Sequence, residues 1–327
     1  MFKSDWEKTS ARQQLTPDRV EKIVHHVYPD RKLIAHELLA GGCANLNFTI
    51  LLEGETQPLI LRVYLRDTVA AYREQKLGAL LKQKLPIPLT FVIDEMDGYH
   101  FAITEFMPGI TLRDLLLGDL PHNINLVMHD VGALLAKLSQ YQFPKSGFFD
   151  KDLSITVEFG DNFAIAFAKE CLQSSNVIEI LNREKISKIN ACISKYGHLF
   201  PDKNDRQLVH ADFDPANILV DNIEGAWKIT GIVDWEFAYA GSVLSDVANM
   251  LRYAHKMPHE FQDAFLDGLQ SGGVVLPEHW RVSIDLLNLL SLLDCLVRSN
   301  IEKQPNQCAD IRQLIDDILQ IMDRFVL

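Results

Sequence analysis

Residues 208–236 read LVHADFDPANILVDNIEGAWKITGIVDWE. His210, Asp212 and Asn217 stand in the pattern H-x-D-x-x-x-x-N, followed by a short apolar run, 218–220, and a polar turn. A second apolar run, 229–233, ends in Asp234. Two apolar runs about one turn form a hairpin, and a hairpin brings its distal ends together. Asp212, Asn217 and Asp234 are therefore expected to converge on one point. An Asp base beside an Asn and an Asp with oxygen ligands is the set needed to move a phosphoryl group from a Mg-nucleotide.

The chain around this hairpin is long enough for two lobes. It has 327 residues, 47% of them apolar, which makes it a globular chain. No apolar run approaches the roughly 20 residues of a membrane span, and the start, MFKSDWEKTSARQQ, lacks a signal-peptide apolar region. A soluble, cytoplasmic protein without membrane contact is expected. Cys43, Cys171, Cys192, Cys295 and Cys308 are scattered, which fits reduced, buried thiols. His25 and His26 read as solvated residues of a surface helix.

The net charge of −12 is unevenly placed. Residues 1–107 carry 13 basic and 14 acidic side chains, and 108–327 carry 19 and 30. An acidic C-terminal part argues against a nucleic-acid partner, whose phosphates demand a basic surface. It is compatible with a cationic small molecule, and equally with a role in solubility alone.

Upstream of the hairpin, Thr16 and Pro17 open an amphipathic helix with Val20, Ile23, Val24 and Val27 on one face. Strand-like runs follow at 33–39, 47–52 and 59–65. Between the first two lies AGGCANLN, 40–47, where Gly41 and Gly42 permit close backbone approach and Asn45 and Asn47 can cap exposed groups. Arg62 sits inside the third run, where a cation needs a partner. Glu74, on a helical segment with Leu77, Leu80, Leu81 and Leu85 on one face, is the candidate. Strands at 89–93 and 99–107 complete an antiparallel sheet with one main helix. Pro108 and Gly109 then mark a change of direction. The lobe boundary is placed at 107/108, with a hinge over 106–110.

From Thr111 the chain reads as mostly helical. Helices are expected over 111–117, 124–140, 158–174, 177–196, 243–253, 258–269, 277–300 and 308–325, with a loop over 142–152. Asp246, among apolar residues, is expected to support the loop of the opening stretch. Asp285, Asp294 and Asp310 are expected on solvated faces.

The chain resembles the aminoglycoside phosphotransferase and choline kinase-like family. HADFDPANILVD is similar to that family's catalytic loop and GIVDWEFAYAGSVLSDVANML to its metal-binding segment. LLAGGCANLNFTI is similar to its nucleotide loop and EFMPGITL to its hinge. The resemblance implies an α+β, bilobal, protein-kinase-like fold: a small antiparallel-sheet N-lobe with one main helix, and a larger, mostly helical C-lobe. Residues 1–107 would be the nucleotide-binding lobe and 108–327 the catalytic and substrate-binding lobe. It implies an ATP-dependent small-molecule kinase (GTP being the alternative donor) that uses Mg²⁺ and phosphorylates an alcohol group. The acceptor would be of aminoglycoside, choline or amino alcohol, or sugar type.

Under the resemblance Asp212 is the base and His210 structures its loop. Asn217 and Asp234 hold Mg²⁺. Gly41, Gly42, Asn45 and Asn47 form the nucleotide loop, Arg62 contacts phosphate with Glu74 as its anchor, and Glu105, Phe106 and Met107 line the adenine site. The chain departs from the family in three places. Arg62 stands where Lys is common, Asp214 where His or a small residue is common, and Ser242 where Asp is common. A different class of reading is a catalytically weak nucleotide-binding module that regulates a partner. The intact base and metal ligands argue against it.

Overall fold

The computed structural model describes residues 1–7, 15–39 and 45–325. Helix α1 (Pro17–Val27) begins at the expected Thr16–Pro17 boundary, although the Thr16 hydroxyl makes no capping bond. Strands β1 (Leu33–Leu38), β2 (Leu46–Leu52) and β3 (Leu59–Tyr64) follow, then helix α2 (Ala70–Leu81) and strands β4 (Thr90–Met96) and β5 (Tyr99–Glu105). The five strands form one antiparallel sheet in the order β1-β2-β3-β5-β4. Alternation along a strand sends successive side chains to opposite faces. Leu61 and Val63 of β3 join Val20, Ile23 and Val24 of α1 in one core. Tyr64 and its neighbours pack instead with Ala70 and Ala71 of α2. Arg62 shares the Tyr64 face, so it points at α2 and not at α1. Leu77, Leu81 and Leu85 are buried as their spacing predicts, but Leu80 is exposed because the helix offers it no neighbour.

After the hinge, β6 (Ile110–Thr111) leads into α3 (Leu112–Leu117), whose Asp114 amide donates to the Thr111 hydroxyl. Helix α4 (Ile124–Leu138) buries Val127, Val131, Leu134, Leu135 and Leu138. The expected loop at 142–152 contains strand β7 (Gly147–Phe149), which pairs with β8 (Ile155–Glu158). That pairing delays the next helix, α5, to Phe163–Gln173. The long helix expected over 177–196 is two, α6 (Ser175–Ile180) and α7 (Arg183–Tyr196), because the Asn182 side chain accepts from the Lys185 amide and starts a new one.

The opening stretch is β9 (Gln207–Val209), β10 (Ile218–Ile223) and β11 (Ala226–Ile232). Strands β10 and β11 are the expected antiparallel hairpin, with Ile218 opposite Ile232. Strand β6 adds to β10 and so ties the hinge to the hairpin. Strand β12 (Tyr239–Gly241) bridges β7 and β9. Helices α8 (Leu244–Leu251), α9 (His259–Ser271), α10 (Trp280–Val297) and α11 (Pro305–Asp323) complete the chain. Among the described residues no helix is long and apolar enough to cross a membrane.

Phe2 and Trp6 do not join the sheet lobe. They are buried in the helical core, with the Phe2 ring 5.2 Å from that of Tyr253. The three acids assigned to solvated faces are all half-buried. Asp310 accepts from Trp6 Nε1 and from the Tyr253 hydroxyl, and Asp294 pairs with Arg298. Burial pushes the Asp285 carboxyl up to about 7.

Helices α4 and α9 touch backbone to backbone. A Cβ on Gly132 would lie 2.0 Å from the Phe265 carbonyl oxygen, and one on Gly268 would lie 2.0 Å from that of His129. Ala gains about 1 kcal/mol of helix propensity over Gly, but here the obstacle is rigid backbone. Overpacking of about 1–3 kcal/mol outweighs that gain. Gly268→Ala is therefore expected to lower the thermal midpoint by several degrees; an unchanged or raised midpoint would refute the contact.

Candidate active site

Helix α8 and the hairpin together shape the loop that carries Asp212. The buried Asp246 carboxylate accepts from the His210 amide (2.8 Å) and the Ala211 amide (2.9 Å). Ala211 has a φ of 70°, a left-handed conformation that costs a non-glycine residue energy. The two amide bonds hold it there. Burial pushes the Asp246 carboxyl up to about 7, against the pull of those amides. His210 is fully buried, with its ring 4.4 Å from that of Trp235. Its Nδ1 accepts from the Asp212 amide (3.2 Å), so its Nε2 carries the hydrogen that goes to the Val233 carbonyl (3.0 Å). Burial holds this imidazole below its ordinary pKa, which keeps it neutral. His210 thus joins the Asp212 loop to the end of β11, one residue before Asp234.

Asp212 and Asn217 touch. Asn217 Nδ2 donates to Asp212 Oδ2 and to the Asp212 carbonyl, each at 2.9 Å. That leaves Asn217 Oδ1 available as a ligand. The Val233 amide donates to the Asn217 carbonyl at 3.0 Å, which brings Asp234 to the same end of the hairpin. Asp212, Asn217, Asp234 and Glu236 all line one cavity of about 830 Å³.

Arg62 reaches this cluster from the sheet. Its Nη2 lies 2.6 Å from Asp234 Oδ1, 3.3 Å from Glu74 Oε1 and 3.6 Å from Glu236 Oε2. The expected Arg62–Glu74 pair is present, but the shortest contact is to Asp234. Glu74 also accepts from the Tyr64 hydroxyl. Burial raises the Glu74 carboxyl despite Arg62. Burial, with the Asp234 charge acting the same way, pushes Glu236 up to about 7. One guanidinium therefore serves three carboxylates. Glu236 Oε1, Glu74 Oε1 and Arg62 Nε are buried without a hydrogen-bond partner.

These orphaned atoms fit a cation and a phosphate. Among the described residues no three His, Cys, Asp or Glu side chains are arranged as a metal cage. Mg²⁺ does not need one, since it is bound by one or two carboxylates plus substrate phosphates. Asn217 and Asp234, with Glu236 behind them, supply such a partial set.

Asn45 donates to Glu236 Oε2 at 2.7 Å and accepts from the Leu65 amide, so its side chain clasps the cluster and β3 together. Asn47 sits on β2 opposite Arg62. Gly41 and Gly42 lie outside the described residues. Glu105 is the last residue paired in β5, and its carboxylate accepts from Lys82 and the Leu89 amide. Phe106 and Met107 continue past the sheet into the hinge.

Lys3 is absent from the expected site. Its Nζ lies 2.5 Å from Asp212 Oδ1 and 2.6 Å from Asp214 Oδ2. Burial works against the charged Lys3, but the two carboxylates prevail and raise its pKa. In turn Lys3, with Arg252 acting the same way, outweighs burial and holds Asp212 below the usual carboxylate range. Asp214 is buried more deeply, and burial raises it. The aromatic residues Phe2 and Trp6 in an otherwise polar start are the one sequence signal that this segment docks.

The model of a phosphotransferase enzyme family matches residues 36–282. Aminoglycoside phosphotransferase APH(4)-Ia, as a thermostable mutant in ternary complex with ADP and hygromycin B, has a TM-score of 0.71 at 19% identity. The alignment covers 94% of this chain and 99% of that one. Choline kinase LicA from Streptococcus pneumoniae has a TM-score of 0.60 at 13% identity, with 92% and 98% covered. Macrolide 2'-phosphotransferase MphH from Brachybacterium faecium has a TM-score of 0.61 at 14% identity, with 92% and 98% covered. At these identities the likeness is one of fold: α+β, bilobal and protein-kinase-like. No match is found among curated proteins.

Removing the Asp246 side chain strands two buried amides, at about 1–3 kcal/mol each. Asp246→Ala is expected to lose about 2–6 kcal/mol of stability in denaturant titration, more than a typical single substitution. A loss below about 1 kcal/mol would show that the loop is held by something else.

Proposed function

The chain belongs to the phosphotransferase enzyme family, and on that premise we propose that it transfers the γ-phosphoryl group of ATP to a hydroxyl of a small molecule. The observation that carries this reading is the convergence of Asp212, Asn217 and Asp234 on one cavity beside the Arg62 cluster. The neighbours crystallised with ADP or AMP-PNP support a nucleotide donor. GTP in place of ATP is the alternative donor. Mg²⁺, held by Asn217 and Asp234, would neutralise charge on the β- and γ-phosphates. The rest of the chemistry belongs to the protein. Arg62 forks toward phosphate, a task its planar guanidinium suits as well as a lysine does. The hinge residues Glu105, Phe106 and Met107, with the loop of Gly41, Gly42, Asn45 and Asn47, would hold the base and the phosphate chain.

Asp212 is ionised at neutral pH and accepts the proton of the acceptor hydroxyl. Lys3 uses Oδ1 and Asn217 uses Oδ2, yet each carboxylate oxygen keeps a second lone pair for the hydroxyl. The acceptor oxygen bonds to the γ-phosphorus, the bond from that phosphorus to the β–γ bridging oxygen breaks, and ADP leaves. His210 and Asp246 act through the loop and are positioning residues. The functional division falls at 107/108, with residues 1–7 counted with the helical lobe. Lys3 on Asp212 is the observation that favours the other reading, a nucleotide-binding module with its base blocked.

Asp212→Ala separates the two. The kinase reading expects turnover to fall by a factor of about 10²–10⁴, with ATP affinity nearly intact. Asp234→Ala should remove the strengthening of ATP binding by Mg²⁺ in calorimetry. Unchanged ATP turnover in Asp212→Ala would end the role given to that residue.

A further inference from the structure

Among the residues lining the cavity with Asp212 is a buried arginine. Arg252, which follows α8, lines the cavity and is only 7% exposed. Its Nε donates to Asn288 Oδ1 (2.9 Å), and its Nη2 donates to Asn249 Oδ1 (2.5 Å) and Ser291 Oγ (3.0 Å). All three acceptors are neutral. Its Nη1 donates to no described residue. The other buried arginine, Arg62, has three carboxylates within 4 Å, and Arg252 has none among the described residues.

A buried guanidinium without a counter-charge is costly. Neutral side-chain oxygens orient it but do not offset its charge. The fork geometry of Arg matches a carboxylate or phosphate bidentately. Lys3 and Arg298 line the same cavity, although these already face Asp212, Asp214 and Asp294. Arg252 follows Asp246 by less than two helical turns, Asp246 holds the amides of His210 and Ala211, and Arg252 lines the same cavity as Asp212, so it lies near the reacting end. The C-terminal part of the chain is strongly acidic, so these cations are a local feature and not a consequence of overall charge.

We propose that the acceptor is an anionic hydroxy compound whose carboxylate or phosphate is held by Arg252 while its hydroxyl meets Asp212. This names the acceptor class for the kinase reading above and rests on it. The transfer is the one already described; the anionic group of the acceptor takes no part in bond making. It supplies the counter-charge that Arg252 lacks and sets the distance from anion to hydroxyl. The net charge of the sequence is compatible with a cationic acceptor and equally with solubility alone, and Arg252, buried without a carboxylate partner, argues for an anionic group at its end of the cavity.

The test uses the full-length protein with ATP and Mg²⁺ and acceptors in matched pairs. Homoserine is compared with 3-amino-1-propanol and glycerate with ethylene glycol, each pair differing by a carboxylate. Glycerol 3-phosphate is compared with glycerol for the phosphate arm. ADP formation gives kcat and KM, and the shift of thermal midpoint with AMP-PNP present gives binding without turnover. The expected result is that the member bearing a carboxylate or phosphate binds or reacts at least about tenfold better than its partner lacking that group. Arg252→Gln should erase that preference through KM, and Arg252→Lys should keep part of it. A role of Arg252 in supporting the fold or Asp212 alone would instead lower kcat equally for both members. The proposal is overturned by that equal loss, by a preference for the members lacking the carboxylate or phosphate, or by no response to any member that bears one. Phosphorylation of the members lacking it alone would overturn only this inference. ADP formation with none of them would count against the kinase reading itself.

Discussion

One guanidinium among three carboxylates holds the two halves of this protein in register. Arg62 comes from β3, Glu74 from α2, and Asp234 and Glu236 from the segment after the hairpin. The sheet side contributes one negative charge and the hairpin side two. Without Arg62 the cluster would be three buried or half-buried carboxylates in mutual repulsion. With it, burial still raises Glu74 and Glu236, and each keeps one buried oxygen without a hydrogen bond. Orphaned carboxylate oxygens beside one guanidinium are what the proposed Mg-nucleotide site would need.

The loop carrying Asp212 depends on this arrangement from the other side. Its shape comes from three buried polar groups that spend their hydrogen bonds on backbone: Asp246 on two amides, His210 on an amide and a carbonyl, and Asn217 on the Asp212 carbonyl. Buried polar groups are usually satisfied, and here the satisfaction is what positions the functional carboxylate. Lys3 adds an element from the far end of the chain. Phe2 and Trp6 anchor it in the helical core, and it pairs with the Asp212 carboxylate and holds its pKa down.

The local parts of the site were legible in the sequence, and the long-range parts were not. The hairpin follows from two apolar runs about a polar turn, and the role of Asp246 follows from an acid among apolar residues at a helix start. The sheet lobe follows from period-two runs and turn residues. Lys3 and Arg252 could not be read, because each owes its place to contacts with residues distant in sequence. The strand at 155–158 and the break at 181–182 escape the sequence for a related reason. A strand pairing delays the start of the helix expected from 158, and an Asn cap divides the one expected over 177–196. Total charge was a poor guide to the cavity, since most acidic side chains of the helical part lie away from it.

The central claim is that this cleft carries a phosphoryl group from ATP to an alcohol. Phosphorus NMR of the protein with ATP, Mg²⁺ and a panel of hydroxy compounds observes that transfer directly. The account predicts ADP and a phosphate ester in equal amounts, with no matching build-up of inorganic phosphate. ATP left intact with every acceptor, or ADP formed only with inorganic phosphate, would contradict it.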